Sequence, residues 1–295
     1  MEITTVMIIG AGAMGSGIAQ VAAQAGYSVV LNDVAEEFVN KGIAAIFGNL
    51  DKQVHKEKIS SDDKKAILDR ITPSTNLEDG TDADFVLEAI FEDFEAKKSI
   101  FEKLDTLSKP ETIFASNTSS IPITRLAATT KRPERFIGMH FFNPAPVMKL
   151  VEIICGIKTS EETMVTTEQM ATRIGKTSVR VKDVPGFLVN RINNAMRNEA
   201  KNCLLEGVAT IEDIDTALKL GLRLPMGPFE LEDFVGLDVA LNVSKTLYEG
   251  YKDVKWRPNR TMEQLAISGD LGRKTGKGWY DYTSGEQKPR KDIKF

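Results

Sequence analysis

The sequence predicts an α/β protein in two parts. A doubly wound, mainly parallel sheet with an inserted helical hairpin comes first, and an all-α C-terminal domain follows. Three observations carry that expectation. Short apolar, β-rich runs alternate with longer helical patterns in the first half, the order that builds a parallel sheet with helices on both faces. A glycine motif, Gly10-Ala11-Gly12-Ala13-Met14-Gly15, joins the first such run to the first helical pattern. After Pro185-Gly186 the β-rich runs cease and apolar residues recur at helical spacing.

Each element has its own signal. Thr5-Val6-Met7-Ile8-Ile9 is a β-rich run that ends at the glycine motif, and residues 13–25 carry the small and apolar side chains of a helix packed on a sheet. Ser28-Val29-Val30-Leu31 is a second buried-strand candidate. Residues 35–70 read as a charged helical hairpin broken near Ile59-Ser60-Ser61-Asp62, an unusual insertion for a bare nucleotide-binding domain. Further strands are expected at Asp84-Phe85-Val86-Leu87, Thr112-Ile113-Phe114-Ala115, Phe136-Ile137-Gly138-Met139, Leu150-Val151-Glu152-Ile153-Ile154 and Ser178-Val179-Arg180-Val181, and none after residue 182. Phe187, Ile192, Ala195, Met196, Ala200, Cys203 and Leu204 fit one side of a long helix, and residues 211–220, 228–248 and 260–269 read as further helices. At ~100–200 residues per domain, this divides the chain into 1–184 and 185–295. The polar, basic tail 284–295 is expected to fray.

Composition narrows the function classes. The chain has 295 residues, 42% of them hydrophobic and 27% charged, which is ordinary for a globular protein. Lys+Arg is 38 against Asp+Glu 42, a net charge of −4, which argues against nucleic acid as the main partner while allowing a local basic patch. The two cysteines, Cys155 and Cys203, read as reduced thiols of a cytoplasmic protein. No apolar run approaches the ~20 residues that span a bilayer, so no membrane partner is expected. The chain enters its glycine motif almost at once, so no cleavable targeting segment is expected. No metal site is expected either.

The glycine motif has the form G-x-G-x-x-G and lies between a strand and a helix. An acid, Asp33, follows at the end of the next strand, 18 residues past Gly15. Gly10 permits the tight turn, Gly12 lets the backbone approach a pyrophosphate, and Gly15 lets helix and strand pack closely; Ala13 and Met14 complete the loop. Free N–H groups and the helix dipole then hold phosphate. Asp33 is suited to ribose hydroxyls. With Glu36 and Glu37 just beyond and no arginine near, a 2′-phosphate meets repulsion, so this Rossmann-type motif favours NAD over NADP. A glycine turn without a ligand is the plainer alternative, and the full strand–turn–helix–strand–acid context outweighs it.

Only two histidines are present. His55 lies in the charged hairpin and reads as a solvated residue. His140 ends a buried strand before the turn Phe142-Asn143-Pro144-Ala145-Pro146, where open α/β sheets place their sites. Histidine is the usual proton-transfer group near neutral pH, although a hydrogen-bonded core histidine would look the same. Ser116-Asn117-Thr118-Ser119-Ser120 ends another apolar run and crowds donors on the same edge. It could polarise a carbonyl, or cap a helix before Ile121-Pro122. Glu152 interrupts an apolar run, which is costly unless it is paired. His140 is its natural partner; an edge strand facing water is the alternative.

With these residues in view, the chain resembles the short-chain L-3-hydroxyacyl-CoA dehydrogenases, and among them most closely the bacterial 3-hydroxybutyryl-CoA dehydrogenases. The likeness covers essentially the whole chain. Its motifs are Ala115-Ser116-Asn117-Thr118-Ser119-Ser120, residues 138–149, Pro185-Gly186-Phe187-Leu188-Val189-Asn190-Arg191, Pro225-Met226-Gly227-Pro228 and residues 272–282, Gly-Arg-Lys-Thr-Gly-Lys-Gly-Trp-Tyr-Asp-Tyr. The resemblance implies His140 as general acid/base, Glu152 as its partner, and Ser119 and Asn190 as the other catalytic residues. It implies that Glu92, Lys97, Ser119, Asn143 and Lys274 join Asp33 and the glycine loop in holding NAD, with Ser119 beside the nicotinamide. Lys52 and Lys56 on the hairpin fall where the family binds CoA; with Lys58 they form a positive cluster suited to a phosphate-rich ligand. A solvated helix face is the plainer reading of that cluster.

The implied reaction interconverts 3-ketoacyl-CoA and L-3-hydroxyacyl-CoA, with acetoacetyl-CoA and 3-hydroxybutyryl-CoA as the expected pair. The family also implies a homodimer formed through the helical domain. Two alternatives use the same scaffold. One is a dehydrogenase of a 3-hydroxy acid without CoA; the other is a non-enzymatic cofactor-binding protein. The intact Ser119, His140, Glu152 and Asn190 weigh against the second.

Overall fold

The structure is a computed structural model that describes residues 2–290, 292 and 293. The chain folds into two compact units, Met1–Phe187 and Leu188–Phe295. The first unit runs β1 (Thr5–Ile9), α1 (Ala13–Gln24), β2 (Ser28–Asn32), α2 (Glu36–His55), α3 (Ser61–Leu68), β3 (Ile71–Ser74), β4 (Phe85–Glu88), α4 (Phe94–Leu107), β5 (Ile113–Ser116), α5 (Ile123–Ala127), β6 (Phe136–Phe141), β7 (Leu150–Cys155), α6 (Glu161–Arg173) and β8 (Thr177–Lys182). The second unit holds α7 (Val189–Leu205), α8 (Ile211–Gly221), α9 (Pro228–Val235), α10 (Leu237–Tyr251) and α11 (Arg260–Ile267), then a short ribbon of β9 (Tyr280–Asp281) and β10 (Lys288–Pro289).

The eight strands of the first unit lie in the order β3-β2-β1-β4-β5-β6-β7-β8. Strands β1 to β6 are parallel, so β1, β4, β5 and β6 all end on one edge. The central strands β4, β5 and β6 are buried along their whole length. One core cluster contains Val6, Ile8, Ile18, Leu31, Phe85 and Val151, and another contains Met7, Val86, Phe101, Phe114 and Phe136. The chain reverses through residues 142–149, so β7 runs antiparallel to β6, with Glu152 opposite His140.

The structure departs from the sequence expectations at several places. Strand β3 is absent from them because Ile71-Thr72-Pro73-Ser74 has no apolar run. As an edge strand with two exposed central residues, it tolerates Pro73, which has no N–H to donate. The stretch 228–248 is two helices parted at Gly236, whose φ of 104° no other residue type adopts readily. The tail does not simply fray. Lys288 and Pro289 pair with Asp281 and Tyr280, and the Arg290 guanidinium bridges Asp270 and Asp292 at 2.6 Å each. Residues 291, 294 and 295 of that tail lie outside the described residues.

Helix α7 carries the clearest correction. Phe187 is not part of it, and Ile192 and Ala195 are exposed, whereas Asn194, Arg197 and Lys201 are buried. The buried face is polar because partners wait for it. The Lys201 ammonium donates to Glu232 Oε1 at 2.6 Å, and Asn194 Nδ2 donates to Ser244 Oγ at 2.7 Å. Apolar spacing alone cannot register such partners.

Candidate active site

The glycine loop has the geometry of a dinucleotide cradle. Gly10 adopts φ 99°, and a Cβ there would lie 2.6 Å from the Ala89 carbonyl oxygen. A Cβ on Gly15 would lie 1.7 Å from the Gly10 carbonyl oxygen, so only glycine lets α1 close on the loop. At Gly12 a Cβ would meet nothing within 4 Å: the loop faces open space where a ligand can approach. Helix α1 begins with no side-chain cap and no acid in its first turn, which leaves its N–H groups and dipole to an anion. Asp33 completes the cradle, its Oδ2 accepting from the Ala11 N–H at 2.7 Å.

Gly10, Asn32, Asp33, Val34 and Ile90 line a cavity of about 780 Å³ over the ends of β1, β2 and β4. Its lining includes Glu78 and Glu102 beside Asp33, against the single lysine Lys103. That charge favours a ribose with free hydroxyls over one bearing a phosphate. The residues present therefore fit NAD.

Farther along the same edge, His140 is 5% exposed and Glu152 is fully buried. His140 Nδ1 lies 2.7 Å from Glu152 Oε2, and its Nε2 lies 3.3 Å from Ser119 Oγ. A carboxylate can only accept, so Nδ1 carries the hydrogen, and Nε2 is the nitrogen that faces Ser119. The alternative for Glu152, an edge strand facing water, fails because β7 lies between β6 and β8. The rings of Phe142 and Phe187 stand tilted against the imidazole at 4.9 and 5.5 Å.

The loop carrying Ser119 is not a helix cap. Helix α5 is instead capped by Asp183, which accepts from the Ile123 and Thr124 N–H groups at 3.0 and 2.7 Å. Glu92 Oε1 holds the loop by accepting from Thr118 Oγ1 at 2.6 Å and from the Ser119 and Ser120 N–H groups at 2.8 Å each. Asn117 Oδ1 accepts from the Phe141 N–H at 2.8 Å and ties the loop to the end of β6, beside His140.

Beneath Glu92 lies a buried ionic layer. Lys97 is only 1% exposed and reaches Glu88 at 2.5 Å and Glu92 at 3.3 Å. Ser116 Oγ donates to the other Glu88 oxygen at 2.6 Å. Burial pushes the Glu88 carboxyl above its ordinary range, against the pull of Lys97. Burial raises Glu92 too, but the Lys97 charge and the hydroxyl and amide donors outweigh it and hold Glu92 below that range. The structure thus sets Lys97 inside the protein, where it positions Glu92. Sequence reasoning missed Glu88, although it closes the apolar run Phe85-Val86-Leu87 and so carries a signal close to that of Glu152, an acid within an apolar run.

The remaining expected residues fall as follows. Asn143 is exposed in the turn after β6, and His55 is exposed in α2. Lys52 and Lys56 are exposed in and just after the last turn of α2, and Lys58 is exposed beyond it. Among the described residues, none of these three lysines has an ion-pair partner. Lys176, missed at the sequence level, is buried, and its ammonium donates to the Ala145 and Met148 carbonyls at 2.5 and 2.8 Å, clamping the turn that carries Asn143. In the second unit, Asn190 is partly exposed in the first turn of α7, and Lys274 pairs with Asp238 at 2.5 Å.

A phosphate cradle and a histidine–carboxylate pair on one sheet edge define a dinucleotide-dependent oxidoreductase. The comparisons resolve which kind. Residues 5–184 match the NAD binding domain of 3-hydroxyacyl-CoA dehydrogenase, and residues 186–282 match its C-terminal domain. A protein of Bacillus subtilis, a probable 3-hydroxybutyryl-CoA dehydrogenase, is 48% identical over 282 residues, which cover 96% of this chain and 98% of that one. The 3-hydroxybutyryl-CoA dehydrogenase of Bradyrhizobium diazoefficiens is 48% identical over 97% of this chain and 98% of its own. The crystal structure of an (S)-3-hydroxybutyryl-CoA dehydrogenase from Ralstonia eutropha superposes with a TM-score of 0.93 at 47% identity, covering 96% of this chain and all of that one. The chain belongs to the 3-hydroxyacyl-CoA dehydrogenase family and is an NAD-dependent oxidoreductase of 3-hydroxyacyl-CoA. Among the described residues, no helix is long and apolar enough to cross a membrane.

Proposed function

We propose that the chain interconverts acetoacetyl-CoA and L-3-hydroxybutyryl-CoA with NAD, and that His140 is the acid–base group. The observation that carries the reading is the His140–Glu152 contact at 2.7 Å, with His140 Nε2 turned toward Ser119. When bound, NAD supplies the hydride chemistry. In reduction, the charged imidazole gives its Nε2 proton to the substrate oxygen; in oxidation, the neutral Nε2 removes it. Such proton transfer is typically worth ~10²–10⁴-fold in rate. Glu152 holds the ring in the tautomer that leaves Nε2 available and stabilises its charged form. The Ser119 hydroxyl, with Asn190, donates to the substrate oxygen as negative charge develops on it.

Glu92 places Ser119 for that task, held in turn by Lys97 and Glu88. Asp33 and the glycine loop bind the cofactor, joined by Asn143 and Lys274. The unpaired Lys52 and Lys56 take the phosphates of CoA. Exposed Ile192, Leu205, Val208, Leu220 and Leu222 on the helical unit support a homodimer formed through it, since a monomer rarely leaves so much apolar surface open. Two free cysteines suit a cytoplasmic protein.

The experiment is oxidation of NADH with acetoacetyl-CoA, with NADPH and free acetoacetate run in parallel. Turnover that needs both the CoA thioester and NADH supports the substrate and the cofactor preference together. Turnover with free acetoacetate would transfer the reading to a non-CoA 3-hydroxy acid. His140→Gln is expected to abolish turnover and retain NADH binding; near-normal turnover would remove the acid–base assignment.

A further inference from the structure

Val184, Pro185, Gly186 and Phe187 close the first unit with a turn, the Phe187 N–H donating to the Val184 carbonyl at 3.0 Å. Proline second and glycine third, with φ 72° at Gly186, is the arrangement of a type II turn. The residue after the glycine is the anomaly. Phe187 has φ 50°, in the left-handed region where a bulky side chain is strained. Three other described non-glycine residues share this conformation, Glu57, Arg223 and Lys252. All three are exposed and stand just past helix ends, where left-handed residues are common. Phe187 is only 2% exposed.

A strained conformation persists only where the surroundings over-determine it, and such residues gather at functional sites. The turn itself does not need a ring at this position, and glycine would relieve the strain. The reason for the ring lies in what it touches. One side joins the apolar cluster of Ile121, Ile123, Leu126 and Phe136. The ring also stands 5.5 Å from the His140 imidazole at an interplanar angle of 57°. Glu152 and Ser119 fix where the two ring nitrogens point, but both contacts lie at the imidazole's edge. Phe187, with Phe142, supplies contact from neighbouring rings.

We infer that Phe187 is a positioning residue for His140: its left-handed backbone sets the phenyl ring against the imidazole and holds Nδ1 toward Glu152 and Nε2 toward Ser119. The inference rests on the reading of His140 as the acid–base group. Its effect is on the geometry of proton transfer, not on cofactor binding, and small misplacements of a reacting group are costly in rate.

The chain's two histidines make a direct test possible. Ring nitrogen spectra of 15N-labelled protein report the His140 tautomer, and His55→Gln identifies the other set of signals. Phe187→Leu keeps an apolar side chain and removes the ring. It is expected to lower kcat about tenfold or more while leaving KM for NADH within about twofold. The His140 signals should move from a single Nδ1–H tautomer toward an average of two, and Phe187→Tyr should restore both readouts. If Phe187→Leu does not fold, Phe187→Met, closer in volume, takes its place.

Unchanged kcat and ring signals would reduce Phe187 to a filler of the core. A lower kcat with unmoved ring signals, or an activity loss matched by the unfolded fraction, overturns the inference as well. A fully active His140→Gln would instead sink the acid–base reading; the ring spectra of Phe187→Leu would still decide whether Phe187 holds the imidazole.

Discussion

Gly12 and Gly15 belong to one motif, yet the structure sets opposite demands on them, and the difference can be measured. At Gly12 the backbone has φ −67° and ψ −170°, which any residue adopts, and an added Cβ meets nothing within 4 Å. Gly12→Ala should therefore leave the free protein as stable as before, or raise its stability by the ~0.4–1 kcal/mol that alanine removes from unfolded-chain entropy. The methyl group would stand in the space that the pyrophosphate enters. Overpacking of about 1–3 kcal/mol confined to the complex weakens NADH binding roughly 5- to 150-fold.

At Gly15 the new Cβ would lie 1.7 Å from the Gly10 carbonyl oxygen, a backbone atom with no freedom to swing away. Helix α1 must shift off β1, at a cost of about 3 kcal/mol. For a domain of this size that lowers Tm by about 6–12 °C. Differential scanning calorimetry of the free proteins and a fluorescence titration with NADH separate the two effects. Gly12→Ala should lose affinity without losing Tm, and Gly15→Ala should lose both. Parent-like NADH affinity in Gly12→Ala would show that the loop does not hold the pyrophosphate. A parent-like Tm in Gly15→Ala would refute the close packing of helix on loop.

Three further outcomes follow from the same geometry. Lys97→Met leaves Glu88 buried and unpaired, so it should destabilise the protein by about 3–5 kcal/mol in denaturant unfolding; Glu88→Gln with Lys97→Met together should recover much of that loss, and a double variant no better than Lys97→Met argues that the pair is not coupled. Lys52→Ala with Lys56→Ala should raise KM for acetoacetyl-CoA and spare that for NADH, the effect shrinking in high salt; a selective effect on NADH would place CoA elsewhere. Burial pushes the Asp84 carboxyl up, but Lys109 and the Thr4 and Thr5 N–H groups outweigh it and hold it at about 2. Because this lies below the unfolded value, its stabilisation is complete above about pH 4 and is lost as pH falls toward about 2. Asp84→Asn should cost about 1–2 kcal/mol at neutral pH after allowance for screening, and the gap to the parent should close in acid; a gap that persists at about pH 2 would mean the carboxylate charge is not what the site uses.

Much of this molecule is legible because local signals and the fold agree. The run 5–9, the glycines and the acid at the end of β2 each sit where a parallel strand–turn–helix–strand unit needs them, so short-range pattern suffices. The hairpin break is equally local: Ser60 and Asp63 form a reciprocal cap at the start of α3. Where the readings failed, the deciding interaction was distant. Strand β3 exists because β2 offers it an edge. Helix α7 buries Arg197 and Lys201 because Glu232 stands in a helix far along the chain. Phe187, counted with α7 from its spacing, belongs to the first unit because its ring finds the apolar cluster of α5 and β6.

The sequence by itself determined the alternation of strands and helices, the phosphate-binding turn and one acid, Glu152, too costly to leave unpaired. These are decided by backbone conformation, hydrophobic period and desolvation, all properties of a residue and its near neighbours. Only the tertiary structure decided which charges meet. The reversal between β6 and β7 sets Glu152 opposite His140 rather than one residue off, where its side chain would leave from the other face of the sheet. The loop carrying Ser119 reaches Glu92 because β4 and β5 end side by side on one edge. Pairing depends on register and on the crossing of elements, and neither is written in any single stretch of the chain.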